Sequence, residues 1–403
     1  MTFSPYVLIQ ISFFISAYAS VIFLGRLLRG TVKTPQSASR RYSHLDGVRA
    51  LAAIGVVVCH TNQHLLGFFG FSETSEYGIR VGIVSVQMFF ALTAFLFTER
   101  ALNAGLNPAK FYIGRVRRIV PLYVFVAVCT ILLGIYMATK PVEDLTALAV
   151  SAIDIFSFGF LGGTPLTILD FNAERLIGIA WTLSFEWKFY VVFPILFFLA
   201  TTSKKLAILL VFVIATLAAR DYYLIGEVVW PFFVVGALAA YLKKNIPAIP
   251  ANLQKILNPL SIVLLVVSIA APGYFSAVHL LIAAALFICV LYGEPSLLKA
   301  HALQVIGTIS YSYYLLQYLV LAPIVYFALY MDIGETSEVW RFATALLIPM
   351  ILVPISCLSY RFIEQPWMES KLAKAQNTTQ QEPVKTKTLL ARRNTVAETD
   401  TVC

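Results

Sequence analysis

Leu45-Asp46-Gly47-Val48-Arg49-Ala50 opens a stretch that continues Leu51-Ala52-Ala53-Ile54-Gly55-Val56-Val57-Val58 and ends at Cys59-His60. It reads as a membrane-crossing helix with an acid, an arginine and a histidine built into it. A helix needs about 20 predominantly apolar residues to cross hydrocarbon. Apolar runs recur along the chain at 5–25, 45–69, 79–98, 119–138, 181–200, 206–219, 225–242, 256–271, 275–292, 305–330 and 342–363. Hydrophobic residues make up 59% of the 403 and charged residues 13%, against about 25% charged in a soluble domain. With a mean hydropathy of +0.80, the chain has too little polar surface to cover a water-facing globule. The expected fold class is all-α, a polytopic transmembrane helical bundle of about eleven spans.

Charge orients the bundle. No Lys or Arg precedes the first run, whereas Arg26, Arg29, Lys33, Arg40 and Arg41 follow it. A signal peptide carries its charge in front, so the run reads as a true span with its N-terminus outside. Eleven spans then leave the C-terminus in the cytoplasm. On that scheme only Arg80, Lys140, Arg175, Arg220 and Arg341, 5 of 30 basic residues, fall outside, as the positive-inside rule requires. The net charge of +9 therefore belongs to topology and to membrane lipids, with no nucleic-acid partner implied. The five cysteines show no CxxC spacing, so neither a disulfide framework nor a thiolate metal site is expected. His60 and His64, at i, i+4, lack the carboxylates of a metal centre.

Three sections follow: 1–41, an N-terminal span and basic linker; 42–370, the membrane domain; and 371–403, a polar tail read as disordered. The apolar segment 145–161, interrupted by Asp154, reads as an interfacial or re-entrant piece.

Ionisable residues inside a span are costly and mark function by default. Arg49 sits near the cytoplasmic entrance of the second span, and His60, eleven residues on, lies about 16 Å deeper at 1.5 Å per residue. The fifth span runs the other way and reads Trp181-Thr182-Leu183-Ser184-Phe185-Glu186-Trp187-Lys188-Phe189-Tyr190. Glu186 falls about 8 Å inside its outer end, at the level of His60, as a carboxylate orienting a histidine base would. Lys188 is two residues from Glu186 and cannot face it on a helix, so a partner from another helix is expected. Phe111-Tyr112-Ile113-Gly114-Arg115-Val116-Arg117-Arg118 opens the fourth span. It reads either as a positive-inside anchor or as guanidinium forks for a phosphorylated cytosolic donor.

These landmarks resemble acyltransferase family 3, which includes O-acetyltransferases of bacterial surface polysaccharides and Nod factors. The resemblance rests on the Arg-x10-His of Arg49 and His60, the Arg-x-x-Arg of Arg115 and Arg118, the segment 181–194, Ile306-Gly307-Thr308-Ile309-Ser310-Tyr311, and 360–366. It covers about residues 42 to 370 and implies a ten-span core behind one extra N-terminal span. It also implies no bound cofactor, with acetyl-CoA or another acyl-CoA as cytoplasmic co-substrate. The implied acceptor is a carbohydrate hydroxyl, on a surface polysaccharide or its lipid-linked precursor, and the implied location is a bacterial inner membrane. By position His60 is the essential histidine, Glu186 the acidic residue, and Arg49, Arg115 and Arg118 the donor-binding arginines. Asp46, Trp181, Ser184, Tyr190, Tyr311 and Gln317 are supporting positions. Gln317 stands where the family often has His, and Ala50 where Gly is common; glutamine hydrogen-bonds but cannot take a proton. The rival reading is a polytopic transporter or exporter of a polar solute, which accounts for the spans and the buried Glu but not for arginines opposite a histidine. No inverted repeat of the transporter kind is visible, and nothing in these residues sets an oligomeric state.

Overall fold

The computed structural model describes residues 5–28, 30–32, 42–66, 75–139, 145–158, 167–333 and 336–369. The tail 371–403 lies outside the described residues, as do 33–41 of the basic linker and 159–161 of the interfacial segment. In chain order the helices are α1 Pro5–Leu27, α2 Ser43–Thr61, α3 Ser75–Ala104, α4 Pro108–Met137, α5 Leu145–Phe156 and α6 Glu174–Ile177. There follow α7 Ala180–Thr202, α8 Lys204–Ile225, α9 Pro231–Asn245, α10 Ala251–Ala270 and α11 Ala277–Gly293. The chain closes with α12 His301–Leu315, α13 Gln317–Tyr330, α14 Glu338–Ser359 and α15 Gln365–Met368. Asn62–Leu66 and Tyr360–Glu364 are π-helical turns continuing α2 and α14. A small antiparallel hairpin pairs Thr167 with Asn172 and Ile168 with Phe171.

Each of the eleven apolar runs falls on a helix, the tenth on the pair α12 and α13. By length and apolarity the count is smaller. Among the described residues six helical segments suffice to cross a membrane: Glu76–Ala104, Pro108–Met137, Ala180–Thr202, Lys204–Ile225, Ala251–Ala270 and Val339–Met368. The pair α12 and α13, bent by 62°, makes a seventh if it is one span. The remaining runs fall short for physical reasons. The described part of α1, Ile11–Leu27, and α11 are apolar but short; α9 has 15 residues; and α2 carries Asp46, Arg49 and His60 within 19.

That polar helix is the centre of the molecule. α2 is packed by α3 and α12 and also touches α1, and all but five of its residues are buried. Two glycines set its distance from α12 and from the 3₁₀ turn Ser296–Lys299 that precedes it. A Cβ on Gly307 would reach the backbone carbonyl of Asp46, and one on Gly47 would run into the Leu298 backbone, so only glycine lets these backbones approach. Phe13, Ala17 and Val21 are fully buried; their spacing of four makes one stripe of α1, which packs on α12 and α14. The outer helices are the reverse. α8 has no buried residue and α10 buries only Ser261 and Ser268, while Ile208, Phe212 and Ile262 are each more than 60% exposed. Such surfaces are stable where hydrocarbon takes the place of water. The protein is an integral membrane protein.

Candidate active site

A cavity of about 670 Å³ lies between α2, α3, α4, α7 and α12, within the range of pockets that take small molecules and cofactors. One end is basic: Arg49, Arg100, Arg115 and Arg118 line it, with Asp46 and Glu369. α2 and α12 contribute regular stripes. Asp46 and Arg49 are three apart on α2; Gln304, Gly307, Thr308, Tyr311 and Tyr314 follow one face of α12, the i, i+3, i+4 spacing of a helix surface. Glu186 and Tyr190, four apart on α7, enter from the opposite wall.

The arginines are unequally paired. Arg49 donates to Asp46 at 2.7 Å. Arg118 Nη1 reaches only the Met368 sulfur, at 3.6 Å, a weak acceptor. Arg115 stacks on Phe97 with its carbon 4.6 Å from the ring centroid and interacts with the Tyr190 hydroxyl, while among the described residues its buried Nε has no hydrogen-bond partner. A buried donor without a partner calls for an acceptor, and a guanidinium that faces sulfur has donors to spare for an oxyanion.

Glu186 does not orient His60. Its carboxylate accepts from the Tyr190 hydroxyl on its own helix at 2.5 Å, and its charge is felt by Arg115, Arg118 and Arg49. Counting residues inward gives a level along an axis but not the face on which a side chain emerges. Glu186 emerges toward the basic cluster, where three cations offset the cost of a buried carboxylate.

His60 instead meets Gln317. Its Nδ1 lies 2.9 Å from Gln317 Oε1, and Gln317 Nε2 donates to the Tyr314 carbonyl at 2.8 Å. A carbonyl only accepts, which orients the amide, and an amide oxygen only accepts, so in the neutral ring His60 Nδ1 carries the proton. Nε2 is left with the free lone pair. Tyr318 packs on the ring at 4.9 Å between centroids, and His64 stands 6.4 Å away. Gln317 is available because α12 ends at Leu315 and the chain turns by 62°, freeing the last carbonyls of the helix.

A family model described as an acyltransferase domain matches residues 42–359, most of the chain. The chain belongs to acyltransferase family 3. Among its relatives are the peptidoglycan O-acetyltransferase OatA of Listeria monocytogenes, 24% identical over 380 residues, and the O-acetyltransferase OatA of Staphylococcus aureus, 24% identical over 367. These alignments cover 81% and 80% of this chain and 56% of each relative, so the chain spans about half the length of those relatives. Protein 2 in the picA locus of Rhizobium radiobacter is 30% identical over 166 residues, 37% of this chain and 78% of that protein. No solved structure gives a significant match.

Within this family 3 acyltransferase the remaining candidates are dispersed. Asp46, Tyr190 and Tyr311 line the cavity, and Tyr311 is anchored to the Ile119 carbonyl at 2.8 Å. Ser184 is buried away from the lining, and Trp181, 37% exposed, packs edge-on to Phe185 and Phe275. Two residues escaped the sequence reading. Glu364, in the second π-turn, is fully buried, bonded to Ser312 and within the electrostatic reach of Arg118. Tyr314 joins Thr182 in the cavity wall. The periodic polar face of α12 was the available signal for Tyr314; for Glu364 it was an acid in an apolar run, inside the landmark segment 360–366.

Proposed function

We propose that the protein is a membrane O-acyltransferase moving an acyl group, acetyl in the first instance, from cytoplasmic acyl-CoA to a hydroxyl of a carbohydrate such as a surface polysaccharide or its lipid-linked precursor. The observation that carries the reading is the guanidinium pair of Arg115, with an unpartnered buried Nε, and Arg118, facing the Met368 sulfur, in a cavity whose wall residue Tyr314 is tied through Gln317 to a histidine with a defined free nitrogen. CoA offers phosphates for the first and a thioester on a long arm for the second. The name of the Listeria relative supports acetyl transfer to a glycan, and the setting we propose is a bacterial inner membrane with the arginine-rich end of the cavity on the cytoplasmic side, as the positive-inside rule favours.

The chemistry follows from the tautomer. His60 Nε2 takes the proton of the acceptor hydroxyl as its oxygen attacks the thioester carbonyl carbon. The tetrahedral adduct collapses, the carbon–sulfur bond breaks, and the imidazolium returns the proton to the departing thiolate. The products are an ester and CoA thiol. If His60 accepts the acyl group first, Nε2 is again the nitrogen that bonds. Gln317 only accepts from Nδ1–H and takes no proton. Glu186 sits with the arginines, where it sets their position and local charge.

The test is radiolabelled acetyl-CoA supplied to the basic face of vesicles holding the purified protein, with a panel of carbohydrate acceptors. Acetyl ester on an acceptor supports the reading. Movement of a polar solute across the vesicle with no cleavage of acetyl-CoA would establish the transporter instead.

A further inference from the structure

The cavity stops short of His60. Its lining includes Thr182 and Tyr314, but neither His60 nor Gln317 belongs to it. These two lining residues hold each other. Tyr314 Oη and Thr182 Oγ1 are 2.5 Å apart, and Thr182 Oγ1 is 2.9 Å from the Ile179 carbonyl. Threonine has one hydroxyl proton, and the Ile179 carbonyl can only accept it, so Tyr314 donates to Thr182. The Tyr314 ring is also held from α3, edge-on to Phe89 at 6.0 Å between centroids. Three helices thus meet on one side chain.

The same residue faces both ways. Its hydroxyl is held by Thr182 of α7, while its carbonyl, two residues before the break at Leu316, receives the Gln317 amide that orients His60. Of the residues that line the cavity, Tyr314 is the one tied to His60, through Gln317. A buried hydroxyl pair is costly to break unless new partners are supplied. An acyl-pantetheine arm brings amide carbonyls that can accept from Tyr314; water alone does not bring the length or the apolar contact to displace the ring.

We propose that Tyr314, latched by Thr182, is the residue that determines transfer over hydrolysis: it separates the donor cavity from His60 and yields to an acyl-pantetheine arm. The proposal rests on the acyl-transfer reading for the identity of the arm, though not for the existence of the barrier. With the ring in place, water entering at the basic end does not reach the base, and a waiting thioester is not hydrolysed; exclusion of water from a reactive intermediate is a known duty of closed sites. The hydrolytic leak is the same reaction with water as acceptor, giving carboxylic acid and CoA thiol.

Two measurements test it. In vesicles, Tyr314→Ala is expected to raise acetyl-CoA hydrolysis without acceptor several-fold relative to acetyl transfer, with Tyr314→Phe and Thr182→Val in between, since each keeps the bulk and removes the latch. An unchanged ratio of hydrolysis to transfer in all three overturns the proposal. The second measurement needs no activity. In full-length protein with its native cysteines replaced, the thiol introduced by His60→Cys is titrated with a charged, membrane-impermeant thiol reagent from the basic face. Labelling is expected to speed up several-fold when Tyr314→Ala is added, and equal rates with and without it overturn the barrier. If labelling accelerates but wild-type protein neither binds nor cleaves acetyl-CoA, the barrier stands and the acyl-transfer reading falls.

Discussion

The two ends of the site are built on opposite principles. The basic end holds four arginines among the cavity-lining residues, with Asp46, Glu186 and Glu369, and leaves guanidinium donors at Arg115 and Arg118 unmatched. The histidine end is neutral in its hydrogen bonding: His60 and Gln317 form one short chain that ends on the Tyr314 carbonyl, and the Tyr314 and Thr182 hydroxyls form another that ends on the Ile179 carbonyl. Surplus charge recognises an anion by its field and tolerates variation in pose. A relay of neutral donors and acceptors fixes one tautomer and one orientation. Within one helical bundle the first arrangement suits binding and the second suits chemistry.

Substitutions that separate binding from chemistry put this contrast at risk. The largest effect is expected for His60→Ala, which should lower kcat for acetyl transfer by about 10²–10⁴, the usual contribution of a general base, with protein amount and thermal unfolding matched to wild type. Near-wild-type turnover would remove the histidine end from the reaction. Next, Arg115→Ala and Arg118→Ala should each raise KM for acyl-CoA about tenfold or more, from the roughly 1.5–3 kcal/mol of a hydrogen bond to a charged group. A loss confined to kcat would mean that the basic end does not bind the donor. Gly307→Val tests the scaffold common to both ends. Its side chain would meet the Asp46 carbonyl, and overpacking of this kind costs about 1–3 kcal/mol, read as a lower Tm in detergent. The smallest effect is expected for Gln317→Ala, which removes one neutral hydrogen bond of about 1 kcal/mol, roughly fivefold in rate. It should fall on kcat and leave KM for acyl-CoA alone; a change in KM alone would break the assignment.

The helices were legible because in hydrocarbon an apolar run has almost no choice but helix. Their details depended on neighbours. The run 305–330 reads as one span, yet α12 and α13 part at Leu316. Neither Pro nor Gly marks the place, since Pro323 lies further on inside α13; the Gln317 side chain, bonded to Tyr314 and His60, occupies the break. The ionisable residues of the site could also be picked out, because charge inside a membrane is rare. Their pairing could not. Level along an axis put Glu186 beside His60, whereas azimuth, set by how α7 packs on α8 and α3, turned it toward the arginines. The glycines of Leu45-Asp46-Gly47 and Ile306-Gly307 looked like motif letters in the sequence; in the fold they are the points where α2 touches the 3₁₀ turn before α12 and α12 itself.

One consequence follows from α8, the helix with no buried residue. Most positions in this protein answer to a particular neighbour, but those of α8 answer mainly to the solvent, and any oily side chain satisfies a solvent of oil. Its spelling is therefore nearly free while its length is not. Among related chains this helix should drift faster than any other and still keep its span, a stretch of text in which only the word count is under selection.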